Sequence, residues 1–146
     1  TDQFPTFVRK VQRYFYLKEI EQAAVEENTD RDVDYAISAC WVMPKEVVDK
    51  VGLLDEKIFY APEDVDYCIR IWRAGYAIRY LPQYSMVHDA QEISRAKGFK
   101  VNFFTLSHIK GLIYLYFKHR FLFSGKKFRS CYERLQGGAI NRDAVK

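Results

Sequence analysis

The chain has no run of about 18 uncharged apolar residues, the shortest that spans a bilayer as a helix. The nearest approach, "GLIYLYF", is interrupted by Lys110 and Lys118, so no helix that crosses a membrane is expected. Cysteine is scarce. Cys40, Cys68 and Cys131 are an odd number set far apart in apolar surroundings, without the paired spacing of a zinc site or a disulfide framework. A reducing compartment is the expectation. There is no charged-then-apolar leader behind Thr1, no Gly-rich phosphate loop, no internal repeat and no low-complexity stretch, and the sequence reads as a piece of something longer. Acids nearly vanish from the last third: from Lys97 onward only Glu133 and Asp143 stand against a series of lysines and arginines.

What is present is the material for one core. The 146 residues are 49% hydrophobic and 16% aromatic, enough for a single packed domain and too few for two. Residues 5–27 read as a helix, with Pro5 in the first turn and Phe7, Val8, Val11 and Phe15 at helical spacing before "EENTDRD" breaks the pattern. "VDYAISACWVM" reads as a largely buried strand. Pro44 then opens a short helix that Gly52 is placed to end with a left-handed residue. After the loop "LLDEKIFYAP" a helix starts near Asp64 and closes at Gly75; "YAIRYLP" and "YSMVHD" follow as short extended segments. Over residues 99–123, Phe103, Leu106, Ile109, Ile113 and Phe117 form one stripe of an amphipathic helix.

The densest chemistry lies in "FYAPEDVDYCIRIWRAGY", where Glu63, Asp64 and Asp66 fall within four positions. Val65, Cys68, Ile69 and Trp72 recur at i, i+3, i+4 and i+7, so that stripe packs inward, while Asp66 and Arg70 lie four apart and can pair. Helix capping is the bland account: negative charge in a first turn complements the helix dipole by about 0.3–1 kcal/mol per group. It explains one or two of the acids. Three so close repel one another, and their clustering calls for a nearby cation or a partner that shares a proton.

The order of elements over residues 33–88 resembles the second half of the catalytic domain of family 2 glycosyltransferases, in particular the bacterial rhamnosyltransferase-like branch. The residues that carry the resemblance are Val51-Gly52, then Leu54-Asp55-Glu56, Phe59-Tyr60, Glu63-Asp64-Val65-Asp66 with Arg70, Ala74-Gly75-Tyr76, Pro82 and His88. The resemblance implies an α/β chain, the acceptor-binding half of a GT-A sandwich, followed by C-terminal amphipathic helices. Residues 1–98 would be that half and 99–146 a basic helical extension. It also implies roles. Asp64 would be the general base that deprotonates an acceptor hydroxyl in a single inverting displacement, with Glu63 in support; Trp41, Asp66 and Arg70 would bind the acceptor. His88, at the end of "PQYSMVH", would join a divalent-cation shell of Mn2+ or Mg2+, imidazole beside carboxylates suiting manganese. His108 and His119 have no such context and read as surface or packing residues.

The family's metal-binding Asp-x-Asp, which ends an apolar strand in the nucleotide-binding half, has no counterpart: neither Asp32-Val33-Asp34 nor Asp64-Val65-Asp66 follows such a strand. The expectation is therefore an acceptor-side fragment that alone does not catalyse transfer. Its partners would be a nucleotide-sugar donor, a saccharide or lipid-linked saccharide acceptor in bacterial surface polysaccharide synthesis, and no nucleic acid. "YFKHRFLFSGKKFRSCYERL" interleaves cations and aromatics, which fits an interfacial helix on an anionic membrane surface, at the inner face of the cell membrane, or a helix pair with a solvated basic face. Two other readings stay open: a noncatalytic binding or membrane-docking module of the same fold, and a metal-dependent hydrolase built on Asp64, Asp66 and His88.

Overall fold

A computed structural model describes residues 4–6, 29–59, 61–87 and 103–120, together with Lys127, Phe128, Ser130 and Glu133. The helix read over residues 5–27 falls almost wholly outside them, as do His88 and Cys131. Within them the chain is a mixed α/β body in the order β1 (Arg31–Asp32), α1 (Lys45–Val51), α2 (Glu63–Arg73), β2 (Arg79–Tyr80) and α3 (Phe103–His119). The two strands pair antiparallel, Arg31 opposite Tyr80 and Asp32 opposite Arg79.

Both short-range helix signals are realised. Pro44, extended at φ −61° and ψ 146°, precedes α1, which carries Glu46 in its first turn and Lys50 in its last, the polarity that complements the dipole. Gly52, at φ +83°, ends it and donates its N–H to the Val48 carbonyl. The second helix, α2, packs on two sides. Val65, Cys68, Ile69 and Trp72 join Phe4, Tyr35, Ile58, Leu115 and Phe128 in the main core, as the i, i+3, i+4, i+7 stripe requires. Tyr67 and Ile71 meet Val47 of α1 in a smaller cluster. Trp72 also donates its indole N–H to the Asp34 carbonyl at 2.9 Å, so the largest buried side chain leaves no orphaned donor. Burial of each such side chain contributes about 1.5–3 kcal/mol.

Three expectations are corrected. Residues 33–43 do not form a continuous buried strand. Val33 and Tyr35 are buried, and Val33 N–H still reaches the Ile78 carbonyl at 2.8 Å, but Ile37 to Cys40 are exposed in a turn. The run has the composition of a strand; beyond Asp32 it has no continuous ladder to hold it as one. "YSMVHD" likewise forms no strand over its described residues 84–87. The third correction concerns α3. Its helix is where the periodicity puts it, but Phe103, Leu106, Ile109, Ile113 and Phe117 are exposed, and the buried edge is Gly111, Leu115 and His119. At 100° per residue these two sets lie on opposite sides of the cylinder. Glycine at 111 permits the contact: a Cβ there would stand 2.6 Å from the Ala61 carbonyl oxygen and 3.1 Å from Pro62. The C-terminal helix is thus seated on the two residues that lead into Glu63.

Candidate functional site

The three acids at the start of α2 diverge. Glu63 is half-buried and accepts a hydrogen bond from the Ser38 hydroxyl at 3.2 Å through Oε1, while Oε2 is enclosed without a hydrogen-bond partner. Asp64 is half-buried at the helix mouth, and its Oδ1 accepts the Val65 N–H at 2.7 Å. Asp66 turns inward and is fully buried. A carboxylate so placed must be neutralised locally. Asp66 Oδ1 lies 2.7 Å from Lys118 Nζ and 2.7 Å from His119 Nε2, and Oδ2 accepts Arg70 Nε–H at 3.0 Å.

The expected cation beside the acidic cluster is therefore supplied by the protein itself. Lys118 bridges Asp66 and Asp55, reaching Asp55 Oδ2 at 2.6 Å, and Tyr114 donates its hydroxyl to the same oxygen at 2.9 Å. Arg70 extends the web by donating Nη1–H to the Val51 carbonyl and Nη2–H to that of Leu53. One network, buried at Asp66 and His119 and partly exposed elsewhere, thus ties the front of α2, the loop after α1 and the end of α3.

The electrostatics follow from this wiring. The hydrogen bond from Lys118 holds Asp55 down at about 2. Burial works to raise Asp66, but the hydrogen bonds from His119 and Lys118 outweigh it and hold the carboxyl below its ordinary value. Burial also opposes charge on Lys118, and there too hydrogen bonds to Asp55 and Asp66 prevail and raise it. His119 goes the other way: burial lowers it against the pull of Asp66. The direction is physically consistent, because Lys118 and Arg70 already balance Asp55 and Asp66, and a third cation would be in excess. Neutral His119 then donates Nε2–H to Asp66.

The remaining expected site residues are placed as follows. Trp41 is half-buried, stacks on Tyr67 with ring centroids 5.6 Å apart, and donates its indole N–H to the Ala36 carbonyl at 3.2 Å. It belongs to the same segment as Ser38, the partner of Glu63. Arg70 is half-buried, and its guanidinium lies over the same Tyr67 ring, 4.8 Å from the centroid. Asp66, expected to bind an acceptor, has no surface with which to touch one. Its oxygens hold three elements of the fold together. His88 lies outside the described residues. Among the described residues no three His, Cys, Asp or Glu side chains converge as a metal site. No described helix is long and apolar enough to cross a membrane.

His119 is the residue that sequence reasoning undervalued. Read as surface or packing, it is buried, bonded to Asp66 and edge-on to Phe128 at 6.1 Å. The partner is 53 positions away, so no local pattern announces it; the one available signal is its place at i+4 and i+8 from Leu115 and Gly111 on the buried edge.

No family model matches the chain, and no solved structure matches it. Among curated proteins it is similar to the low-salt glycan biosynthesis hexosyltransferase Agl10 of Haloferax volcanii, with 26% identity over 111 residues. The aligned part takes in 76% of this chain and 33% of that protein, so the chain spans one third of its relative's length.

Proposed function

We propose that this chain is the acceptor-side part of an inverting glycosyltransferase of the family 2, GT-A type, residues 1–98 forming that half of the catalytic domain and 99–146 a helical extension. The observation that supports it most directly is the division of labour at the mouth of α2. Asp66 is withdrawn and neutralised inside, leaving Asp64 half-exposed at the helix start beside Glu63. The likeness to a hexosyltransferase over three quarters of the chain points the same way.

In this reading the Asp64 carboxylate, half-exposed at the start of α2, waits where an acceptor hydroxyl can approach. Asp64 takes the hydroxyl proton as the oxygen forms its bond to the anomeric carbon, and the bond from that carbon to the nucleoside diphosphate breaks on the opposite face. Glu63, steadied by Ser38, sits beside the base and orients it. The indole of Trp41, fixed on Tyr67, offers an apolar face to a sugar ring, and Arg70 holds the loop that follows α1. A nucleotide sugar as donor, a saccharide or lipid-linked saccharide as acceptor, and a divalent cation to which His88 contributes belong to the same proposal.

The test is Asp64→Asn in the full-length protein, assayed for transfer from a radiolabelled nucleotide sugar and, separately, for donor binding. Transfer should fall at least about a hundredfold, the scale of a lost general base, with donor binding unchanged. Wild-type transfer by the variant removes Asp64 from the role. Turnover by the wild type with metal and no sugar donor would instead indicate a hydrolase.

A further inference from the structure

We propose that the outward side of α3 is a docking face for an anionic phospholipid surface. The helix is apolar on both sides, a pattern that globular proteins use only where both sides are covered. Its inner edge, Gly111, Leu115 and His119, is covered by the α2 core. Its outer stripe is exposed: Phe103 is 67% and Phe117 80% exposed, with Leu106, Ile109 and Ile113 about half exposed between them. The stripe continues onto the loop before α2, where Phe59, 72% exposed, meets the Phe103 ring edge-on at 5.8 Å.

Charge identifies the occupant. From Phe103 to Tyr132 the sequence has no Asp or Glu. Lys110 is exposed within the stripe itself, and Arg120 is exposed just past its end. Lys118 is engaged inward with Asp55 and Asp66, and exposed Lys127 bonds the His119 and Arg120 carbonyls at the end of α3. Cations at the edge of an aromatic and aliphatic strip, with no acid among them, suit the boundary between anionic headgroups and acyl chains, where lysine can extend its ammonium to the phosphates. A protein partner would need an acidic rim around an apolar groove; a bilayer supplies both features over any area. The helix is too short and too charged to cross, so it would lie flat, about 26 Å long at 1.5 Å per residue.

The docking face does not depend on the glycosyltransferase reading, but its use does. Because Gly111 rests on Ala61 and Pro62, α3 would hold Glu63 and Asp64 about one helix diameter, roughly 10 Å, from the lipid. That distance fits an acceptor hydroxyl on a sugar anchored in the membrane.

Flotation of the full-length protein with vesicles of phosphatidylcholine, with and without phosphatidylglycerol, tests the inference. The protein should float with the phosphatidylglycerol vesicles, less so in high salt, and the Phe103→Ser/Phe117→Ser double variant should lose at least about tenfold in partitioning. Lys110→Glu, an exposed change that leaves the core intact, should lower binding to the anionic vesicles alone and serves if the double variant fails to fold. Asp64→Asn should float as the wild type does, so a failed transfer assay and a failed docking surface are read separately. Wild-type protein that stays in solution with both vesicle types overturns the proposal, whether the stripe is then covered by the rest of the protein or by another chain. Equal flotation of the wild type and both variants overturns it as well.

Discussion

Replacing Asp66 by asparagine removes one charge and little volume from the centre of the network that joins α2, α3 and the loop after α1. Asp66 accepts from Arg70, Lys118 and His119 within 3.0 Å and is fully buried. An asparagine has one oxygen for these three donors, and its amide nitrogen must face at least one of them, donor against donor. Breaking a buried ion pair from one side costs about 3–5 kcal/mol. Lys118 keeps Asp55, and Arg70 keeps the Val51 and Leu53 carbonyls, so the expected loss is at the lower end, about 3 kcal/mol. Urea unfolding followed by tryptophan emission measures it, since Trp72 is 2% exposed and shifts only when the core opens. In the double variant with Lys118→Met the two losses should fall short of their sum by at least about 1 kcal/mol, because the two side chains share one bond. Asp49→Asn is the control: the Lys45–Asp49 pair is solvent-exposed, and its loss should stay within about 0.5 kcal/mol. If Asp66→Asn costs less than about 1 kcal/mol, the network is not what joins these elements and the account of the acidic cluster fails.

Acid should weaken the fold in two stages. His119 is held below its ordinary 6.5, so the unfolded chain takes the proton first and stability declines as the pH falls below about 6.5. Asp55 and Asp66, both held below 3.8, contribute stability that is complete above that value and lost as the pH falls toward about 2 for Asp55. Denaturation midpoints across this range, with His119→Gln removing the first stage, check the order. Gly111→Ala should cost about 1–3 kcal/mol by urea unfolding, the scale of overpacking, since its methyl would meet the Ala61 carbonyl at 2.6 Å. Iodoacetamide should alkylate exposed Cys40 in the native protein and spare Cys68, which is buried and pushed up to about 12; peptide mapping of Cys68 labelled without denaturant would contradict the packing of α2.

The order of α1 and α2 was legible in the chain because each rests on local physics. Pro44 and Gly52 bracket a helix by their own backbone preferences, and Val65, Cys68, Ile69 and Trp72 form an inward stripe that no neighbour has to specify. The Asp66–Arg70 pair was legible for the same reason, being four residues apart on one helix. Periodicity on α3 was legible too, but not its orientation. A helix apolar on both sides does not say which side faces the core, and the choice fell to Gly111, the one position where the helix can approach Ala61 without a side chain in the way.

The acidic cluster divides along the same line. Its charge and its place at a helix start belong to a few adjacent residues and follow from local order along the chain. Which acid turns inward was decided by tertiary structure, because the cations that neutralise Asp66 include Lys118 and His119, more than fifty positions away. A buried carboxylate is tolerable only where such partners are already in place, and no local propensity can bring them there. The strand expected over residues 33–43 failed for a related reason: its composition is intrinsic, but a strand exists only where another backbone offers its hydrogen bonds, and that is settled in space rather than along the chain.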